Sequence, residues 1–233
     1  SLIAYKENKV WNIKNFKIEK RGGTSYKEDF VIITDKGTHK VSAKRKVKLK
    51  TGSYDYVNSS SAISKDSALY EIKEYSSDLK KSNKAVSTTR KRFNNKANSL
   101  LKTMKSDEIK KILNDHVAAK NKDMNIMVTD KEVNKNYWWK FAESQLYKDI
   151  INKKITCKLV FGRGKTSAKI VFEDGDKEID HNIRIRLVLN NGVRALLGKS
   201  SKNKTSTPCI KIQQDRCDKV IERLEKNNKL IIF

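Results

Sequence analysis

Glu28 and Asp29 open a β-branched run, Phe30-Val31-Ile32-Ile33-Thr34, and a second extended stretch carries Val41-Ser42-Ala43-Lys44. Acids and an amine on neighbouring strands are the parts needed to hydrolyse a phosphodiester with a metal ion. The carboxylates hold Mg²⁺ or Mn²⁺, and the amine orients the attacking water or steadies charge building on phosphorus. Asp35-Lys36-Gly37 lies between the two stretches and reads as a tight turn, with Gly37 supplying the positive φ, so the two form a β-hairpin. A turn centred on Lys36-Gly37 puts Asp35 opposite Thr38 and makes Asp29 face Lys44; a three-residue loop brings Asp29 to Ala43 instead.

This pattern resembles the PD-(D/E)xK nuclease superfamily of restriction and repair enzymes, whose signature is an acid on one strand and an acid-x-lysine triplet on the next. Here these are Asp29 and Ser42-Ala43-Lys44, and Ser42 stands where the superfamily has an acid. Some restriction endonucleases of the superfamily carry serine there and recover the missing carboxylate from a following helix. By that analogy Glu71, or next Glu74, fills the role, and Glu28 is a further candidate. The resemblance spans residues 26–75. It implies a restriction-endonuclease-like core in which Asp29, Ser42, Lys44, Glu71 and Glu28 form the catalytic set, with Asp29 and Glu71 binding the metal. The activity implied is Mg²⁺-dependent cleavage of double-stranded DNA, possible at specific sites, and cutting both strands suits a homodimer.

Other motifs carry less. Glu71-Ile72-Lys73 is a literal E-x-K preceded by Asp55, but its surroundings read as helix. Gly162-Arg163-Gly164-Lys165-Thr166 resembles the end of a phosphate-binding loop, yet Leu159 occupies the position of its first glycine, and the flanks read as two strands joined by a basic tip. His39, His116 and His181 lack acidic or cysteine neighbours at metal-ligand spacing, and His116 belongs to an apolar helix face. No serine or cysteine sits in a nucleophile elbow.

Charge is the strongest global signal. The 233 residues include 52 Lys+Arg against 27 Asp+Glu, a formal charge of +25. A surface this basic suits a polyanion, and each phosphate neutralised releases counterions. The alternative to an enzyme is a non-catalytic DNA- or RNA-binding protein in which the hairpin presents Lys44, Arg45, Lys46, Lys48 and Lys50 to the backbone. Further contacts are expected from Arg90 and Arg92 beside Lys91, from Arg163 and Lys165, and from the polar loop with Lys199, Lys202, Asn203 and Lys204. Arg184, Arg186, Arg194, Gln213 and Gln214 join the readout candidates.

The elements that must position these groups follow from periodicity. Strands are expected within 9–18, at 29–34 and 38–48, a surface loop at 51–67, and a helix from about Lys65. Helices follow between Val86 and Val117, the second capped by Ser106. Then come a strand at 123–129, a helix at 137–151, strands at 155–161, 167–173, 183–189 and 209–213, and a helix from about Asp215 to Lys226. The class is mixed α/β, read as a nuclease core over 1–152 and a β-rich, DNA-contacting region over 153–233. Cys157, Cys209 and Cys217 form no C-x-x-C pair, and no apolar run is long enough to span a bilayer, so the reading is a cytoplasmic protein without membrane contact.

Overall fold

A computed structural model describes residues 2–6, 9–13, 16–21, 27–35, 37–82, 84–162 and 166–232, with backbone alone for 2–6, 9–13 and 45–47. It is mixed α/β, as the periodicity predicts. The chain divides into two compact units, one made of Ser1–Tyr54, Ala118–Asn152 and Asp215–Phe233, the other of Asp55–Val117 and Lys153–Gln214.

In the first unit, β1 (Leu2–Lys6) and β2 (Lys9–Ile13) form a two-stranded ribbon. β3 (Phe16–Lys20), β4 (Phe30–Thr34) and β5 (Gly37–Val47) form an antiparallel meander. The chain then leaves for β6 (Tyr54–Ser59), α1 (Glu71–Lys81), α2 (Val86–Thr103) and α3 (Ser106–Ile112). It continues through a π-helical stretch, Leu113–Ala118, and a single turn, α4 (Ala119–Asn121). On return, β7 (Met124–Asp130) lies parallel to β5. A parallel pair needs a long crossover, and this excursion supplies it. β8 (Asn136–Lys140) runs antiparallel to β7.

β7 is inner in the sheet, and Met124, Asn125, Ile126, Val128 and Asp130 are all buried. Its near-continuous apolar run suits a strand covered on both faces. α5 (Gln145–Ile151) follows.

The second unit carries a five-stranded sheet in the order β6-β12-β11-β10-β9, from β9 (Thr156–Phe161), β10 (Ala168–Asp174), β11 (Lys177–Leu189) and β12 (Pro208–Gln214). α6 (Gly192–Leu196) precedes β12. Back in the first unit come α7 (Cys217–Lys226) and β13 (Ile231–Ile232), the latter paired with β8. Along β11 burial alternates strictly from His181 to Leu189, so Ile183, Ile185, Leu187 and Leu189 face the core with Ile210 and Ile212 of β12 and Ile170 and Phe172 of β10. α2 packs against β11 with Phe93, Ala97, Leu100 and Leu101, the i, i+4, i+7, i+8 spacing of one helix face.

A bulge interrupts the β10–β11 ladder. Ile170 pairs with Ile183 but Val171 pairs with Asp180, leaving His181 and Asn182 outside the ladder. Asn182 adopts φ +55°, a conformation asparagine tolerates better than most residues. The carbonyls of His181 and Asn182 are taken up by Nε2 of the buried Gln214, at 2.8 and 3.1 Å. Gln214 Oε1 in turn accepts from the Tyr56 hydroxyl at 3.3 Å.

Several local expectations change. Residues 51–67 contain a strand, β6, since ladder pairing with β12 outweighs the loop-like Ser and Asn content. Residues 136–140 are strand and only 145–151 are α-helix, because Tyr137, Trp138 and Trp139 pair with β7. Ser106 is the first residue of α3 and not its cap; its Oγ accepts from the Cys157 amide at 3.0 Å, while the Lys105 amide donates to Glu108 Oε2 at 3.0 Å. No helix among the described residues is long and apolar enough to cross a membrane.

Candidate active site

The hairpin register differs from both expected alternatives. Thr34 pairs with Gly37 and Phe30 with Val41; Lys36, placed at the expected turn centre, lies outside the described residues. Gly37 has φ +126°, which an L side chain rarely adopts. This register sets Asp29 beside Ser42 and Ala43, not opposite Lys44. The Asp29 amide donates to the Val41 carbonyl at 2.8 Å, and the Arg21 amide donates to the Asp29 carbonyl at 2.9 Å. Backbone bonds on two sides thus hold Asp29 where β4 begins.

The Asp29 side chain folds over β5. Its Oδ2 accepts the Ala43 amide at 2.7 Å and, more loosely, the Ser42 hydroxyl at 3.4 Å. Hydrogen bonds to an anionic acceptor are the stronger kind, so the Ala43 amide fixes the carboxylate's direction. Oδ1 takes no hydrogen bond among the described residues and is available to a cation. Ser42 is buried, and Lys44, two residues on and so on the same face of β5, is half-buried with no ion pair among the described residues.

A bulge follows at once. Lys44 pairs with Val128 and Val47 with Asp130, which inserts one extra residue into β5. Bulges of this kind bend a strand and re-aim its side chains.

β5 is anchored on its other side. The buried Asn125 of β7 donates from Nδ2 to the Lys40 carbonyl at 3.0 Å, and its Oδ1 accepts from Trp138 Nε1 of β8 at 3.2 Å. Three neighbouring strands are thereby tied by one amide.

Lys27 is the residue that sequence reasoning missed. It lies two positions before Asp29. Although the residue as a whole is exposed, desolvation lowers its ammonium from the usual 10.5 to about 8, and the charges of Lys120 and Lys44 add to the effect. Lys27, Lys44 and Lys120 therefore form one positive cluster at the Asp29 end of the hairpin. Lys120 reaches it from the turn that precedes β7. Nothing in the sequence distinguishes these lysines from the many others.

Glu28 is half-buried beside Asp29. Glu71 begins α1 in the second unit, where it forms an ion pair with Lys96 of α2. Glu71-Ile72-Lys73 lies on that helix with Ile72 fully buried, and Asp55 pairs with Lys211 at 2.9 Å. Lys48 is exposed and pairs with Glu132 at 3.3 Å. Arg90, Lys91 and Arg92 are exposed on α2, as are Lys199, Lys202, Asn203 and Lys204 in the loop before β12. Gln214 is consumed by the β11 bulge and is no readout residue. Arg163 and Lys165, and the side chains of Arg45 and Lys46, lie outside the described residues; β9 and β10, which flank the former pair, do form an antiparallel hairpin.

Among the described residues, no three His, Cys, Asp or Glu side chains gather as a metal site. Asp29 keeps one carboxylate oxygen open, and Mg²⁺ is commonly held by one or two carboxylates together with substrate phosphates and water. Comparison of the chain with protein-family models, with curated proteins and with solved structures found no match.

Proposed function

We propose that the chain is a metal-dependent endonuclease acting on double-stranded DNA, with a core of the restriction-endonuclease kind in its first unit. The observation that carries this reading is the Asp29 carboxylate bonded to the Ser42-Ala43 segment of β5, beside the Lys27, Lys44 and Lys120 cluster. The strand pair β4-β5, the helical excursion and the parallel strand β7 support this reading.

In this reading the three ammonium groups seat the scissile phosphate, and Lys44 orients the attacking water. Asp29 Oδ1, with Glu28 as the neighbouring second acid, holds Mg²⁺ or Mn²⁺. The ion supplies charge neutralisation at the phosphate. Ser42 does not ligate; it steadies the Asp29 carboxylate. Glu28 is taken as the second acid because it adjoins Asp29 in the chain. Cutting both strands of a duplex suits a homodimer.

The test is cleavage of supercoiled plasmid and phage DNA with Mg²⁺ by wild type, Asp29→Ala and Lys44→Ala. Nicking or linearisation by wild type, stopped by EDTA and lost in both variants, is expected. Full cleavage by either variant overturns the reading.

A second reading, a non-catalytic nucleic-acid binder, is favoured by the same lysine cluster, which holds a phosphate with or without a metal. It predicts salt-sensitive retention of DNA or RNA and no Mg²⁺-dependent scission.

A further inference from the structure

In the second unit, α1 carries Lys73, Ser76, Ser77 and Lys80, the i, i+3, i+4, i+7 spacing of a single helix face. Ser76 also belongs to the buried row Ile72, Ser76 and Leu79, at i, i+4 and i+7, so the polar stripe borders the packed face of α1. The polar stripe forms one wall of a cavity of about 390 Å³, and Ser206 and Thr207, just before β12, form the facing rim. Among the described residues no acidic side chain lines it.

The rim is built rather than loose. Asn190 Oδ1 accepts the Ser206 hydroxyl at 3.1 Å, the Thr207 amide at 2.9 Å and the Asn191 amide at 2.8 Å. The Asn190 amide returns a bond to the Thr207 carbonyl at 3.1 Å. One side chain thus holds the Ser206 hydroxyl and the Thr207 backbone.

The wall is rich in donors that lack an anion. Lys73 Nζ donates to the Ile63 carbonyl at 3.1 Å and stacks 4.9 Å from the centre of the Tyr70 ring, which leaves ammonium hydrogens over. Lys80 has no ion pair among the described residues, although its neighbour Lys81 reaches Asp78. The Ser76 and Ser77 hydroxyls donate back to the Lys73 carbonyl, at 2.8 and 3.2 Å. A bound oxyanion would exchange these neutral bonds for charge-assisted ones, which are roughly twice as strong.

We propose that this cavity is a phosphate-binding site, in which the Lys73 and Lys80 ammoniums and the hydroxyls of Ser76, Ser77 and Thr207 receive one phosphate group, while the Ser206 hydroxyl stays committed to Asn190. Its volume lies within the range of small-ligand pockets, about 300–1,000 Å³. The group can belong to free phosphate or to a nucleic-acid backbone, since the donors address only its oxygens. The site shares no residue with the Asp29 cluster and needs no metal.

Titration calorimetry of the full chain in EDTA tests it, with inorganic phosphate in one arm and a short single-stranded oligonucleotide in the other. Wild type is compared with Lys80→Gln, with Lys73→Gln/Lys80→Gln, and with Lys177→Gln as a charge-matched exposed control. Lys80 is exposed, so its variant tests the site even where loss of Lys73 harms folding. Lys80→Gln is expected to weaken binding by about tenfold relative to Lys177→Gln, the scale of one charge-assisted contact. That loss in both arms assigns a free phosphate ligand, and the loss in the oligonucleotide arm alone assigns a backbone contact. Equal affinity of Lys80→Gln and Lys177→Gln in both arms, or no binding by wild type in either, overturns the proposal. Such a failure leaves the nuclease reading standing, because strand scission is not measured.

Discussion

The Asp29 carboxylate accepts the Ala43 amide hydrogen at 2.7 Å, across the hairpin and one residue short of Lys44. The backbone amide aims the carboxylate toward β5, the strand that carries Lys44. If Lys44 steadies the charged phosphate, Lys44→Ala should lower the cleavage rate by about 10²–10³-fold, the range for removing one preorganised donor. Binding of uncleaved duplex should fall far less, which a filter-retention assay in EDTA would separate.

Ser42 touches the same carboxylate and is buried. Ser42→Asp should place two carboxylates in contact, where both cannot ionise cheaply. The variant is expected to lose about 1–3 kcal/mol of stability in EDTA, in keeping with burying a polar group without full compensation. Added Mg²⁺ should raise its melting temperature more than that of wild type. An equal Mg²⁺ response in the two proteins would count against a cation at Asp29.

Lys27, held at about 8, is charged below that pH and neutral above it. On the proposed reading its pull on a phosphate is therefore nearly complete at pH 7 and largely gone by pH 9. The slope of log affinity against log salt should fall by about one across this interval, the share of a single phosphate contact. Lys27→Met should remove that change. Stability moves the other way: the unfolded chain, with its ordinary lysine pKa, binds more protons between about 8 and 10.5, so folding gains as pH rises through that window. Chemical denaturation at pH 8 and pH 10 would register the gain in wild type and its absence in the variant.

The thiols of Cys157, Cys209 and Cys217 are all buried. Burial, with Asp218 nearby, pushes the Cys217 thiol up to about 12, and burial raises Cys209 as well. Since the thiolate is the reactive form, a chromogenic disulfide reagent at pH 8 should find almost no reactive thiol in native protein and all three after denaturation. Fast reaction of any one in the native state would contradict this packing.

Gln214 carries the β11 bulge. Gln214→Leu would leave the His181 and Asn182 carbonyls without their donor and should cost about 1–3 kcal/mol for each group left unsatisfied. DNA retention at matched folded fraction should not change, whereas a base-reading glutamine would lose affinity or specificity. Denaturant titration and retention measured together distinguish the two roles.

Much of this architecture was readable in advance. Strict alternation along 183–189, the i, i+4, i+7 pattern of α2 and the glycine at the hairpin turn are local signals, because side-chain period and backbone conformation are set within a few residues. The pairing of an acid with a lysine-bearing strand was legible for the same reason, as was the basic charge. Long-range pairing decided the rest. Hairpin register moved Asp29 from Lys44 to Ser42 and Ala43, β7 drew 136–140 into a strand, and Gln214 was taken by a bulge whose carbonyls lie more than thirty residues away in the chain. Residue types and spacing specify which side chains are available and what face they share. Only tertiary contacts bring Lys120 to Lys27 and Lys44, or Ser206 and Thr207 to the lysines of α1, because those encounters depend on how separate segments close on one another.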